Sequence, residues 1–233
     1  LAMVASSPEM QTRKSTVVFK ADWHKGVVGI VASRLIEKYY RPTIVLTESN
    51  GTATGSARSV KDFDVYEAIE ACSSLLIQFG GHKYAAGLTM DIKNVNAFIL
   101  QFEKEVAARI TDEQLIPTIE YDMELPFEKI DKDFFAEMKQ FGPFGPGNMS
   151  PVFLSRKVYD RGWARVVGEK HLKMDLESAG NSNRILPAIA FGKGDFFLSL
   201  ANKNEIDVCY SIEENEYNGK VSLQLSVKDM RTE

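Results

Sequence analysis

The sequence predicts a chain of two parts, an α/β part followed by a mostly β part. Two observations predict this division. Up to about residue 113, short β-branched runs alternate with longer amphipathic stretches, which is the pattern of strands and helices around one sheet. Beyond it, short alternating runs are separated by turn residues, and one stretch has helical spacing. We therefore place the domains at residues 1–113 and 114–233.

The sequence of the first part predicts three strands with three helices around them. Arg41-Pro42 ends the first helix because proline lacks a backbone donor and restricts the residue before it. Asn50-Gly51 marks a turn, and Gly80-Gly81 ends the second helix. The predicted strands are 16–20, 43–46 and 88–92, and the predicted helices are 27–40, 64–79 and 94–110.

The sequence of the second part predicts five or more strands and one helix. The helix covers about 131–140 and precedes a stretch rich in glycine and proline, 141–148. Many short strands with one helix in about 100 residues are typical of a small barrel of the oligonucleotide/oligosaccharide-binding type. The predicted strands are 119–125, 152–160, 163–167, 171–176, 184–191, 205–212 and 221–227.

Composition and charge exclude several classes of protein. The 233 residues are 44% hydrophobic and carry a formal net charge of −4, which argues against a charge-driven coat on nucleic acid. Cys72 and Cys209 form no disulfide or zinc pattern, so the expected compartment is the reducing cytoplasm. No apolar run is long enough to cross a membrane, and no membrane partner is expected. Because the sequence starts with Leu1 and not with methionine, we expect either a fragment whose N-terminus lies upstream or a chain from which processing has removed a segment.

One segment reverses the acidic balance. Residues 156–173 hold six basic and two acidic side chains, a local charge of +4. On paired strands these cations would form a track for phosphates, with Tyr159 and Trp163 as stacking surfaces. A solvated hairpin with a core tryptophan is the alternative interpretation.

Two small-residue segments are candidate phosphate sites. The segment 80–87 holds three glycines, two alanines and His82, so a backbone there can approach a ligand closely. A helix cap and tight turn would have the same glycines. In the segment 55–59, Ser56 and Arg58 lie two residues apart, so on an extended chain both point to one phosphate. The alternative is a surface loop with a solvated arginine.

A third candidate lies between a predicted strand and helix. His24 falls in 23–26, where a helix N-terminus offers free amides to an anion. The alternative interpretation is that Trp23 is buried and anchors this segment, while the hydrogen bonds of His24 are made within the protein. No spacing of the three histidines is typical of a metal site, and Cys72 falls on the apolar side of a helix. The chain therefore has no complete active site and is not expected to catalyse alone.

Together these segments resemble the DHH-associated domain and the following OB-fold domain of the RecJ single-stranded-DNA exonucleases. The resemblance covers about residues 16–228. Two departures lie in loops, at Lys61-Asp62, where the family often has glycine, and at Met149-Ser150, where it often has proline. The motifs that carry the resemblance, in chain order, are 23–35, 41–42, 55–59, 79–87, 144–148 with 151–153, and 167–173.

The resemblance implies a function and a set of residues. Family members degrade single-stranded DNA from the 5′ end with magnesium or manganese held by an N-terminal DHH domain, which this sequence does not contain; no metal is expected in this chain itself. Implied partners are single-stranded DNA, the DHH domain and single-strand-binding protein. The residues expected to hold the substrate are Ser56, Arg58, Gly80, Gly81, Gly87 and His24, with His82 also supporting charge at the scissile phosphate, and in the barrel Arg161, Trp163, Arg165 and Lys173.

Two other functions stay open from the sequence. A DHH-family phosphodiesterase of short oligonucleotides or cyclic dinucleotides would use the same glycine-rich segment, but such enzymes typically end before a barrel. A repair or replication adaptor would bind single-stranded DNA without hydrolysis. An upstream DHH motif with several aspartates would favour the enzyme.

Overall fold

A computed structural model describes residues 2–178 and 184–232 of the chain. The chain divides into two compact units, Leu1–Pro117 and Thr118–Glu233. No helix of the described residues is long and apolar enough to cross a membrane. In the first unit the helices are α1 (Ala2–Ala5), α2 (Pro8–Thr12), α3 (Val28–Tyr39), α4 (Val65–Glu70) and α5 (Val95–Arg109), and the strands are β1 (Thr16–Phe19), β2 (Thr43–Ser49), β3 (Thr52–Arg58), β4 (Gln78–His82) and β5 (Ala85–Asp91). In the second unit the helix is α6 (Lys132–Lys139), and the strands are β6 (Met123–Glu124), β7 (Phe153–Asp160), β8 (Arg165–Val167), β9 (His171–Ser178), β10 (Ile185–Ala190), β11 (Ile206–Tyr217) and β12 (Lys220–Thr232).

The first unit is a mixed sheet in the order β1-β2-β3-β5-β4. β1 and β2 are parallel because α3 connects them, and the other pairs are antiparallel. Val45 in β2 packs against α3 through Val28, Ala32 and Leu35. The opposite face is buried under α4 and α5 in a larger core, to which Phe98 belongs. One face of the sheet therefore carries α3, and the other carries α4 and α5.

The second predicted helix is wrong in its C-terminal half. Asp64 caps α4 by accepting from the backbone N–H groups of Tyr66 and Glu67, but α4 ends at Glu70 and not at residue 79. Gln78–His82 is an edge strand, β4, paired with β5. The glycines at 80 and 81 therefore lie inside a hairpin and cap no helix.

Two smaller sequence features of this unit have a clear structural role. Cys72 is 1% exposed, and burial raises the pKa of its thiol to about 11, so it is a core residue, as its position on the apolar side predicts. In the loop with Lys61-Asp62, Asp62 adopts a positive φ of 62°. The backbone there has the left-handed conformation that glycine adopts without strain.

The second unit is a closed barrel with the topology of an OB fold. Its sheet runs β6-β7-β11-β12-β10-β9-β8, and a further pairing of β7 with β9 closes it. β10 and β12 are parallel, and a 3₁₀ helix, Gly194–Lys203, connects β10 to β11. Tyr210 lies at the centre of the barrel core, where its hydroxyl pairs with Ser155 Oγ at 2.7 Å and burial raises the pKa of its phenol. Two predicted strands are shorter than expected: 119–125 is reduced to Met123–Glu124, and 163–167 to Arg165–Val167.

Candidate nucleic-acid interface

Five of the predicted site residues meet on one open face of the first sheet. In the register, Ser56 of β3 lies beside Gly87 of β5, which lies beside Gly80 of β4. Two residues along, Arg58 lies in one row with Ala85 and His82. Side chains two apart in a strand share a face, so both rows lie on the face that carries α3. We call this set the shelf: Ser56, Arg58, Gly80, His82, Ala85 and Gly87.

The shelf has polar groups at its two sides and small residues between them. Neighbouring strands lie about 4.8 Å apart, so Arg58 and His82, two strands apart, are separated by about 10 Å at the backbone. Gly80, His82 and Gly87 are exposed, whereas Ser56 and Arg58 are partly buried. The space between the arginine and the histidine suits a phosphate with part of its nucleotide.

Arg58 and Ser56 are fixed against each other. The Arg58 guanidinium donates through Nη1 to Ser56 Oγ at 2.6 Å and to the Ala57 carbonyl at 2.7 Å. Gly29 in the first turn of α3 lies directly beside them, because a Cβ at residue 29 would stand 2.8 Å from Arg58 Nη2. The residue that precedes α3, Val27, provides no side-chain cap. The helix N-terminus and the arginine thus present positive electrostatic potential at the same place.

At two positions of the shelf, nothing in the fold requires a glycine. Among the described residues, a Cβ at Gly80 would meet no atom within 4 Å, and one at Gly87 would meet only the Gly55 carbonyl oxygen, at 3.9 Å. Gly81 differs, because its φ is +152° and a Cβ there would lie 2.3 Å from the Ala85 carbonyl oxygen. Gly81 therefore serves the hairpin, whereas Gly80 and Gly87 keep the shelf open.

The two histidines of the first unit are held in one tautomer by backbone donors. His82 Nδ1 accepts from the Tyr84 N–H at 3.3 Å, and His24 Nδ1 accepts from the Gly26 N–H at 3.1 Å. With Nδ1 accepting, the proton of the neutral ring is on Nε2. His82 can thus donate a hydrogen bond to a phosphate oxygen without becoming a cation. Trp23 packs partly buried against the α3 core, in agreement with its anchoring interpretation.

The barrel has its own concave site on the outer face of β8, β9, β10 and the β11–β12 hairpin. The trough, as we call it, encloses about 590 Å³. This face of an OB fold, between the first and last loops, is the one that binds oligonucleotides and oligosaccharides. The residues lining the trough are Arg165, Lys173, Met174, Asp175, Pro187, Ala188, Asn215, Tyr217, Lys220, Ser222 and Gln224.

The cations of the trough are available to a ligand. Within residues 2–178 and 184–232, Arg165, Lys173 and Lys220 form no side-chain hydrogen bond or ion pair. Among the described residues that line the trough, Asp175 is the one acidic residue. An acidic chain therefore carries a local excess of positive charge in its barrel cleft.

The remaining two predicted residues lie in the connection between β7 and β8. Arg161 forms an ion pair with Glu177 at 3.2 Å, so its charge is partly neutralised. Trp163 is 65% exposed, which excludes the alternative of a core tryptophan. Asp160, itself 3% exposed, holds this loop by accepting from the N–H groups of Gly162 and Ala164 at 2.7 and 2.9 Å.

Sequence reasoning missed several residues of both sites. Gly29 gives no signal of its own, since its closeness to Arg58 depends on how α3 packs on the sheet. Tyr217 and Lys220 flank Asn218-Gly219. Asn-Gly is typical of the turn of a β-hairpin, so it could have predicted an aromatic residue and a cation at the tip of one hairpin.

Comparison with known proteins agrees with both units. Residues 13–108 match the DHHA1 domain family, and residues 121–229 match the RecJ OB domain family. The chain is 35% identical over 216 residues to the single-stranded-DNA-specific exonuclease RecJ of Bacillus subtilis, covering 91% of this chain and 27% of that protein. It is 33% identical to RecJ of Haemophilus influenzae, covering 90% of this chain and 37% of the relative.

A solved structure extends this similarity to the fold. The crystal structure of RecJ in complex with Mn²⁺ from Thermus thermophilus superposes with a TM-score of 0.78 at 30% identity, over all of this chain and 33% of that one. The fold and the two domain matches define a DHHA1 domain followed by an OB domain. The chain belongs to the RecJ family, and it spans about a third of the length of the curated relatives it matches.

Proposed function

We propose that this chain is the substrate-binding part of a RecJ-like 5′-to-3′ single-stranded-DNA exonuclease. The observation that carries the proposal is the shelf, where Gly80 and Gly87 are free of any backbone or packing requirement and lie between Arg58 and His82. A ligand explains why this floor has no side chains. Similarity to RecJ exonucleases over nine tenths of the chain supports single-stranded DNA as that ligand.

Each polar group of the shelf has a task that its geometry allows. The planar guanidinium of Arg58 has further N–H groups, which can donate to two oxygens of one phosphate. Ser56 adds a hydroxyl, and the first turn of α3 adds backbone amides. His82 supports the scissile phosphate by donating from Nε2, which stabilises charge as it develops on the phosphate oxygens.

The chemistry of bond cleavage requires groups beyond these. Among the described residues, no group of three or more His, Cys, Asp or Glu side chains is placed to hold a metal ion. Solved RecJ structures contain Mn²⁺ or Mg²⁺. We therefore assign such ions to a DHH domain acting beside this chain, and expect the chain alone to be inactive.

In the barrel, Arg165 and Lys173 would hold the strand, with Trp163 and Arg161 at the loop.

Of the two alternative functions, only the phosphodiesterase fits fewer observations. A phosphodiesterase of short oligonucleotides or cyclic dinucleotides would not need the barrel with its cationic trough. A binding adaptor without hydrolysis would need the same shelf, so the presence of a DHH domain distinguishes it. A cytoplasmic location and a single-strand-binding protein as partner remain predictions.

The test is a titration of the chain with a fluorescent single-stranded oligonucleotide and with its duplex at low salt. The chain should prefer the single strand, and Arg58→Ala should weaken binding about tenfold, since a hydrogen bond to a charged group contributes roughly 1.5–3 kcal/mol. Arg34→Ala is the matched control, because Arg34 is exposed on α3 and, within the described part of the chain, pairs only with Glu37. Equal affinity for the duplex, or no binding of the single strand, would contradict the proposal.

A further inference from the structure

The trough contains a carboxylate that the barrel itself does not use. Asp175 lies in β9, where Met174 and Leu176 point into the core at 2% and 0% exposure, so Asp175 lies on the outer face. Within residues 2–178 and 184–232, its carboxylate accepts no hydrogen bond and forms no ion pair. The described part of the fold therefore provides no partner for this negative charge.

The backbone of Asp175 is nevertheless held at both of its polar groups. Its N–H donates to the Asp160 carboxylate at 3.0 Å, and its carbonyl accepts from the Arg161 N–H at 3.1 Å. Its neighbour across the strand pair is Pro187 of β10, which has no N–H to donate. A short acceptor side chain on a fixed backbone loses little conformational freedom when a ligand binds it.

The cations of the trough are near Asp175 but do not neutralise it. Lys173 lies two residues away on the same face, about 7 Å at the usual strand rise, and Arg165 pairs with Lys173 in the register. Within the part of the chain that the structure describes, neither cation forms an ion pair with the carboxylate. The trough thus has two kinds of binding position, cations that attract phosphates and a carboxylate that repels them.

A carboxylate in a cleft for a polyanion requires a ligand group that donates hydrogen bonds. Along a single strand the phosphates only accept, and the donors are the N–H and NH₂ groups of the bases. Guanine has two parallel donors on its Watson–Crick edge, N1–H and the 2-amino group, which match the two oxygens of a carboxylate. Cytosine, adenine and thymine each have one donor group on that edge.

We infer that Asp175 is a specificity residue of the trough, where it accepts hydrogen bonds from the Watson–Crick edge of an unpaired guanine. The inference rests on the proposed function and adds a base preference to it. A nucleotide with its phosphate at Lys173 has its base beside Asp175, because the two side chains are neighbours on one face. A duplex cannot satisfy Asp175, because its guanines already use this edge to pair with cytosine.

The experiment titrates the chain with three single-stranded oligonucleotides of equal length. The first contains only thymidine, and the second has isolated guanines among the thymidines. The third has hypoxanthine at each guanine position, which keeps N1–H but lacks the 2-amino group. The unaltered chain should bind the guanine strand about fivefold or more tightly than the thymidine strand, the discrimination expected of a bidentate base contact. The hypoxanthine strand should bind with intermediate affinity.

The variant Asp175→Asn keeps the size of the side chain and leaves one acceptor oxygen. It should lose most of the guanine preference. It should bind the thymidine strand at least as tightly as the unaltered chain does, because a negative charge leaves the trough. The matched control is Asp133→Asn, which makes the same charge change at an exposed position of α6 that does not line the trough. This control should keep the guanine preference.

Three results would overturn the inference while the proposed function stands. They are equal binding of the guanine and thymidine strands by the unaltered chain, a guanine preference that survives in Asp175→Asn, and an equal loss of affinity for all three strands in that variant. Thermal melting checks that both variants fold, and the comparison of guanine with hypoxanthine needs no variant. If the unaltered chain bound none of the strands, the proposed function would fail, and this inference with it.

Discussion

Three glycines of the β4–β5 hairpin differ in what requires them. Gly81 has no room for a side chain, since a Cβ there would stand 2.3 and 2.5 Å from backbone atoms, whereas Gly80 and Gly87 have open space on the shelf. The sequence alone does not separate these glycines. Their roles become distinct only once the register of β4, β5 and β3 is known.

The first prediction uses this difference. Gly87→Val should leave the melting temperature unchanged or raise it slightly, because the added side chain meets open space and restricts the unfolded chain. Binding of single-stranded DNA should fall about tenfold or more, since the side chain fills the shelf. Gly81→Ala should instead lower the melting temperature. Melting curves and oligonucleotide titrations of both variants provide the test, and unchanged binding by Gly87→Val would contradict the shelf as the phosphate site.

The site residues were predictable where local spacing decides their direction. Ser56 and Arg58 lie two apart, and the structure places both on one face of β3, joined by a hydrogen bond of 2.6 Å. The approach of Gly29 was not predictable, because it depends on packing between α3 and the sheet. Likewise Tyr217 reaches the trough only because β12 lies between β10 and β11.

At the scale of elements, the loop between β7 and β8 depends on one buried carboxylate. Asp160 accepts from three backbone N–H groups, those of Gly162, Ala164 and Asp175, at 2.7–3.0 Å. This loop carries Trp163. The carboxylate therefore sets the position of a proposed DNA-binding residue while also joining β9 to the end of β7.

The second prediction follows from those three bonds. Asp160→Ala should lower the free energy of unfolding by about 2–4 kcal/mol, because three donors lose a charged acceptor. Asp22→Ala is the control: Asp22 forms an exposed pair with Lys20, and such pairs contribute about 0–1 kcal/mol. Urea denaturation measures both. Equal stability of the two variants would show that the loop is held by other contacts.

Element prediction succeeded where a segment is long and periodic and failed where the chain turns. The spacing of Val65, Ile69, Cys72 and Phe79 fits a helix, yet the chain leaves the helix after Glu70. The Ile77 N–H donates to the Thr89 carbonyl, so pairing with β5 replaces the helical hydrogen bonds. This pairing joins residues far apart in sequence, and local spacing carries no information about it.

At the scale of the whole molecule, net charge is a poor guide to the ligand. The formal charge is −4, yet the shelf contributes Arg58 and the trough contributes Arg165, Lys173 and Lys220, which have no ion pair within the described part of the chain. Acidic residues are spread elsewhere and pair with other cations, as Asp207 does with Arg156 and Arg231. Placement of the charges therefore decides where an anion binds.

The third prediction is the salt dependence of binding. If these four cations contact phosphates, the logarithm of the binding constant should fall with the logarithm of salt concentration at a slope of about −3, since each contact to a single strand contributes about −0.7. Lys220→Ala should reduce the slope by about 0.7. A slope near zero in a titration over several salt concentrations would exclude phosphate contacts as the main source of affinity.

A 5′-to-3′ exonuclease begins at the 5′ end of a strand, so we propose that the shelf holds the phosphate at that end. The most direct test compares two oligonucleotides that differ only in a 5′-phosphate or a 5′-hydroxyl. We expect the unaltered chain to bind the 5′-phosphate more tightly, and Arg58→Ala to show no preference, because that variant loses the guanidinium fixed beside Ser56. Equal binding of both oligonucleotides by the unaltered chain, or a preference that survives in Arg58→Ala, would contradict it.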